Sequence, residues 1–453
     1  MDQLIRMKKN IFYIVFILLF LFSRNLFSEE LEIGISQGTI KPTPIAITDF
    51  FSYDVKSLKV GKDISTIISN NLERSGLFIP KDKKSFIQDN ESLNKKPRFE
   101  DWKLIKTQHL VSGTINIKNE TIEVGFRLYD VLTQKQITGK KYETSINNWR
   151  RVSHIISDEI FERITGETGF FDTRIVYIAE SGPAGKKQKR LAIMDQDQSN
   201  HRFLTNGSFM VLTPRFSPTS QKITYMSYID RQPRVFLLDI ETGQQEIVGD
   251  FPGMTFAPRF SPDGKKIIMS YSDPDVGNTE IYTMELSTRR VERITNNPSI
   301  DVSPSFSPKG NKIVFNSDRV TRQHLYIMDS DGGNLKRISK GVGSYFTPVW
   351  SPRGDLIAFT KLEGGQFYIG VMETDGKNER MIAKEFHVEG PTWSPNGRYL
   401  MYYKQSQTFV DSDGNVKSGG ESKLYMIDIT GHNEREVVTP LEGSDPAWSP
   451  LMH

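Results

Sequence analysis

The sequence predicts an α+β protein: a small N-terminal α/β domain, with two helices on a mixed sheet, followed by a six-bladed β-propeller. Three observations carry this expectation. The pattern Pro-x-(Phe/Trp)-Ser-Pro occurs six times, with its serines at 217, 261, 307, 351, 394 and 449. Successive serines lie 44, 46, 44, 43 and 55 residues apart, the length of one four-stranded propeller blade. The stretch before the first copy instead carries helical periodicity at two places.

Residues 1–28 read as a secretory signal peptide. Arg6, Lys8 and Lys9 precede Ile11–Phe22, twelve apolar and aromatic residues, and Glu29-Glu30 follow the expected cleavage point after Ser28. Twelve residues fall short of the roughly 20 that span a bilayer. Removing this segment takes four basic residues (Arg6, Lys8, Lys9, Arg24) and one acid (Asp2) from totals of 58 and 55, leaving 54 of each sign. With balanced charge and no basic stripe interleaved with aromatics, no nucleic-acid partner is expected. The absence of cysteine excludes a disulfide scaffold, thiolate metal sites, a cysteine nucleophile and a lipid anchor on cysteine.

Residues 29–165 form the expected α/β domain. Pro44–Phe51 reads as a strand. Gly61–Gly76 reads as a helix with Ile64, Ile67, Ile68 and Leu72 on one face. His109–Lys118, Thr121–Asp130 and Gln136–Ser145 read as a strand meander. Asn148–Thr165 reads as a second helix, with Val152, Ile155, Ile156, Ile160 and Ile164 on one face and Gly166 as its stop. Residues 166–172 link this domain to the propeller, 173–453.

Each propeller unit continues past its motif in the same way. A turn such as Asp263-Gly264 or Asn396-Gly397 is followed by a β-rich run, a strand ending in an acid, a second turn, and a short outer strand. The long last interval holds a polar, glycine-rich insertion, Asp411–Gly420. Arg174–Glu180, Leu191–Asp195 and His201–Thr205 are three strands of a blade without its first. Asp445–Pro450 is a first strand with nothing after it. Joined, they make the sixth blade and close the ring. Proline recurs within each innermost strand, where one edge faces the channel and no ladder donor is required.

Patterns that carry chemistry are sparse. The seven histidines form no local ligand pair. Asp329–Gly332 and Asp411–Gly414 resemble half of a calcium loop but lack the downstream glutamate in register, and hairpin turns explain them better. Gly34-Ile35-Ser36-Gln37-Gly38 fits a nucleophile elbow without the preceding strands an elbow needs. No catalytic residue, metal or cofactor is expected. The rival class is a propeller hydrolase or lyase with its site at the channel mouth. Loop acids such as Asp301, Glu389 and Asp445 could gather there, but the inner strands offer Pro, Phe, Trp, Ser, Arg215 and Arg259, not paired acids.

A partner surface is a better expectation. The segments that lead into the six motifs should ring one end of the channel. Met254, Thr255, Phe256, Ala257, Ile300, Asp301, Tyr345, Phe346, Glu389 and Asp445 are its candidate residues, with apolar and aromatic groups placed on turns. A second candidate is the mature N-terminus, Glu30, Leu31, Glu32, Ile33, Gly34 and Ile35. Its alternation suits a strand that docks or adds to a partner's sheet.

Asn71–Phe78, Leu110-Val111-Ser112-Gly113, Ile164–Ile175 and Gly253–Gly264, together with the six motifs, resemble the TolB family, periplasmic components of the Tol-Pal envelope system. The resemblance covers essentially the whole mature chain. It implies a monomeric, non-enzymatic periplasmic adaptor without cofactor, held near membranes only through protein partners. It further implies that the lipoprotein Pal binds at one propeller mouth and TolA at the mature N-terminal segment, in support of outer-membrane integrity and cell division.

Overall fold

Alternating apolar residues lay down the first sheet. The computed structural model describes residues 41–183, 186–229, 232–249, 253–274, 277–410, 416–418 and 420–452. The expected signal peptide and the segment Glu30–Ile35 lie outside the described residues. Five strands, β1 (Thr43–Ile47), β2 (Phe78–Pro80), β3 (His109–Lys118), β4 (Thr121–Asp130) and β5 (Lys135–Ser145), stand in the order β2-β1-β3-β4-β5. β1 runs parallel to β2 and β3, and β3–β4–β5 form the expected antiparallel meander. β2 and two short helices, α2 (Asn90–Lys95) and α3 (Phe99–Leu104), were not expected from the sequence.

Two long helices pack together, α1 (Val55–Arg74) and α4 (Trp149–Thr165). α1 begins six residues before the expected Gly61, at an Asp54 cap whose carboxylate accepts from the Ser57 amide at 2.8 Å. Gly61 is not a start signal. A Cβ there would sit 2.4 Å from the Phe50 carbonyl oxygen, so glycine lets the helix pass close to the β1–α1 connection. α4 ends as expected at Gly166, in the left-handed region at φ +73°.

Six four-stranded antiparallel sheets follow. The sixth has the order Glu442–Trp448, Arg174–Ser181, Gln188–Asp195, Arg202–Phe203, so the last strand of the chain completes the blade begun by the first. Trp448 seals this join, its indole N–H donating to Thr173 Oγ1 at 2.9 Å. The insertion in the fifth blade starts earlier than expected. Phe409–Val410 and Val416–Ser418 pair as a small hairpin, while residues 411–415 and 419 lie outside the described residues.

A feature absent from the sequence reading recurs in every blade. The residue before the motif's first proline has a positive φ: Thr213 (+47°), Ala257 (+47°), Ser303 (+56°), Thr347 (+44°), Gly390 (+71°) and Asp445 (+48°). At each of these points the innermost strand shifts register against its neighbour. This is a β-bulge, two residues opposite one, which bends the strand and re-aims its side chains. Proline fits here because the bulge leaves its missing N–H unneeded.

The stretch 166–172 connects the two parts as a packed wedge. Phe170 and Phe171 are fully buried and stack among Phe161, Tyr399 and Trp448. The Asp158 carboxylate accepts from the Phe171 and Asp172 amides at 2.6 and 2.9 Å. One apolar core therefore runs from the α/β part into the fifth and sixth blades. Around it, Tyr399 donates to the Ser75 carbonyl at 2.8 Å, and Arg398 pairs with Glu167 at 3.0 Å and Asp428 at 2.8 Å. Asn71 bridges His154 and Ser157, both at 2.9 Å, and accepts from Gln196 of the propeller at 3.1 Å.

Candidate functional site

The wedge and its partners meet the propeller at the turns that follow the motifs and at the turns between third and fourth strands. Among the described residues, the opposite face, where innermost strands begin and second strands end, meets no part of the α/β sheet. The bulges interrupt the innermost strands between this free face and the motifs, and the channel mouth at the free face is the candidate site.

Of its predicted residues, Met254 and Thr255 are strand residues, and nothing is described of their side chains. Phe256 and Phe346 are half-buried in the strand and Ile300, just before its strand, is exposed. All these segments except the residue before each strand are strand, not turn, because pairing with the second strand starts well before the bulge. Ala257 occupies the bulge itself.

Two expectations need correction. Tyr345 is fully buried: its ring packs on Phe359 and beneath Lys361, and its hydroxyl donates to Glu379 at 2.9 Å. It is an inter-blade core residue and offers a partner nothing. Asp301 is also fully buried and is held by Arg319 at 2.5 Å and Asn297 at 2.9 Å, so it stabilises its own mouth. Asp445 sits at a bulge inside the channel. Burial raises its pKa, Arg215 opposes the shift and Glu389 adds to it. Glu389 itself stays half-exposed near His387 at 3.4 Å and accepts from Tyr403 at 3.4 Å.

The structure adds residues that sequence reasoning missed. Phe209, Val320, Val342, Phe386 and Phe409 are exposed, with 39% or more of each surface open, and all lie on the free face with Met210 and Ile300. The available signal was position: Phe209, Val342 and Phe386 each stand just before an innermost strand. An apolar set of this kind on one face is a candidate interaction surface.

At the other mouth the motif aromatics Phe216, Phe260, Phe306, Trp350, Trp393 and Trp448, with the motif prolines, enclose a cavity of about 410 Å³. Hydroxyl and indole groups tie neighbouring blades together at this level. Trp393 Nε1 donates to the Val349 carbonyl at 3.0 Å, and Ser305 Oγ accepts from the Trp350 amide at 3.2 Å.

Comparison with known proteins covers both parts of the chain. The family profile described as "TolB beta propeller domain" matches residues 161–452, and "TolB amino-terminal domain" matches 31–137. A Tol-Pal system protein TolB from Pelagibacter ubique is 54% identical over 431 residues, covering 93% of this chain and 95% of that one. Its namesake from Paramagnetospirillum magneticum is 56% identical over 424 residues, covering 93% of each. The crystal structure of TolB from Acinetobacter baumannii superposes with a TM-score of 0.80 at 27% identity, over 90% of this chain and 97% of that one.

Proposed function

The chain belongs to the TolB family, and from that premise we propose that it is a non-enzymatic periplasmic adaptor of the Tol-Pal system. It binds Pal at the free propeller face and TolA through the mature N-terminal segment, and so supports outer-membrane integrity and cell division. The proposed division is a cleaved signal peptide (1–28), an α/β domain (29–165), a link (166–172) and the propeller (173–453).

The observation that carries the reading of the site is the set of exposed apolar groups at the ends of the innermost and second strands on the free face. Ile300, Val342 and Phe386 stand on the face that the α/β part leaves free. Such anchors are stabilised only when a partner removes them from water, at about 25 cal/mol per Å² buried. Of the acids near this mouth, Asp301 is fully buried and ion-paired with Arg319, so it is not presented to a substrate.

The test is co-purification of the mature protein with Pal and with TolA. A version starting at Lys41 is expected to keep Pal and lose TolA. Phe256→Ala and Ile300→Asp are expected to weaken Pal at least tenfold with the melting temperature nearly unchanged. Unchanged Pal affinity in both variants would move the site elsewhere, and TolA binding without residues 29–40 would remove the segment's role.

A further inference from the structure

The aromatic mouth holds an arginine, Arg259, that has no counter-charge among the described residues. Arg215 and Arg259 occupy the same motif position in neighbouring blades, where the other four blades carry Ser305, Val349, Thr392 and Ala447. Both arginines line the floor of the 410 Å³ cavity. Arg215 is 8% exposed, donates from Nη1 to the Pro214 carbonyl at 2.6 Å, and keeps an unbonded, buried Nε. Asp445 and Glu389 act on it from the direction of the free face.

Arg259 lacks even that. Its buried Nε is unbonded, and it forms no hydrogen bond or ion pair among the described residues. The charge that acts on it is Arg215, a like charge, and together with burial this drives its pKa well down. A guanidinium does not shed its proton at ordinary pH, so Arg259, half-buried with its Nε closed off from water and without a counter-charge among the described residues, is stabilised when an anion joins it. Two guanidiniums lining one cavity offer fork-shaped sets of N–H donors suited to an oxyanion. The collar of aromatic rings and prolines above them suits an apolar body, not a hydrated ion.

We propose that the aromatic mouth is a second binding site, for a carboxylate carried on an apolar or aromatic body, with the oxyanion between Arg259 and Arg215 and the body within the collar. The site is separate from the free face and does not depend on the function proposed above.

The experiment is calorimetric titration of the full mature protein with 3-phenylpropionate, its neutral amide 3-phenylpropionamide, and inorganic phosphate. The acid is expected to bind at least tenfold more tightly than the amide and than phosphate. Arg259→Gln is expected to lose that preference and, without ligand, to melt above the wild type, because an unbalanced buried charge is gone. Arg259→Lys, which keeps the charge without the fork, should bind the acid weakly. Equal affinity for acid and amide, or undiminished acid binding by both variants, would overturn the site. Phosphate binding as tightly as the acid would overturn the collar's part in it.

Discussion

The two faces of the propeller are built from one repeat and end up opposite in character. At the turns after the motifs, the chain supplies its own partner. Phe170 and Phe171 fill the gap between blades and helices, Arg398 is paired twice, and Tyr399 finds a carbonyl in the α1 C-terminus. At the other face nothing of the described chain arrives, and apolar side chains stay in water. A repeat makes two rings of similar loops. What later covers one ring decides which of them remains available, and each prediction below bears on one side of that contrast.

The largest effect belongs to ring closure, on which both faces depend. Deleting residues 445–453 removes the second half of the strand that pairs with Arg174–Ser181, from its bulge onward, and the Trp448 packing. The exposed edge and lost core should cost several kcal/mol. Calorimetry should show a melting temperature far below the wild type, and a wild-type transition would refute the shared sixth blade.

Breaking the covered face comes next. Arg398 is 2% exposed between Glu167 and Asp428. Arg398→Ala strands two carboxylates, and about 3–5 kcal/mol should be lost. Urea unfolding followed by tryptophan fluorescence, with Trp102 and Trp149 in the α/β part and Trp350, Trp393 and Trp448 in the propeller, should then show two transitions in place of one. A single, unshifted transition would show that the junction does not rest on this pair.

Acid should weaken the same junction. Burial, reinforced by Arg74 and Arg150 and opposed by Asp197, lowers the His154 pKa to about 4. In the unfolded chain histidine titrates near 6.5. Between these values the unfolded state binds more protons, so this stabilisation is full above about pH 6.5 and is lost as pH falls toward 4. Relative to His154→Gln, the wild type should lose on the order of 2 kcal/mol between pH 7.5 and 5. Parallel stability curves would contradict the assignment.

The smallest effect tests the bulges of the free face. Ala257 holds φ at +47°, where a Cβ costs roughly 1–2 kcal/mol that glycine avoids, less about 0.4–1 kcal/mol for the freer unfolded chain. Ala257→Gly should raise stability by less than about 1 kcal/mol. A clear loss would show that the Ala257 methyl packs usefully.

Much of this was legible in the sequence. Periodicity alone placed the blades, the split sixth blade and both long helices, because hydrophobic spacing is a local property. The bulges were not legible, since a bulge exists only relative to the neighbouring strand. Tyr345 was misplaced for a related reason. Its position before a motif suggested a turn, but Glu379, 34 residues away, accepts its hydroxyl and draws it into the core. The wedge 166–172 reads as a linker from Glu167-Thr168-Gly169, yet the two phenylalanines that follow are what the blades close upon. The placement of Phe256 and Ile300 at the free end was legible, because both stand at the start of an innermost strand. Residues such as Val320 needed the fold to bring a second hairpin to the same end.

Hydrogen–deuterium exchange of the mature protein with and without saturating Pal tests the central claim most directly. The account predicts slowed exchange confined to the free face, at 253–257, 299–303, 342–347 and 386–390, with unchanged exchange at the opposite turns 263–265 and 396–398. Protection at those opposite turns, with the free face unaltered, would contradict it.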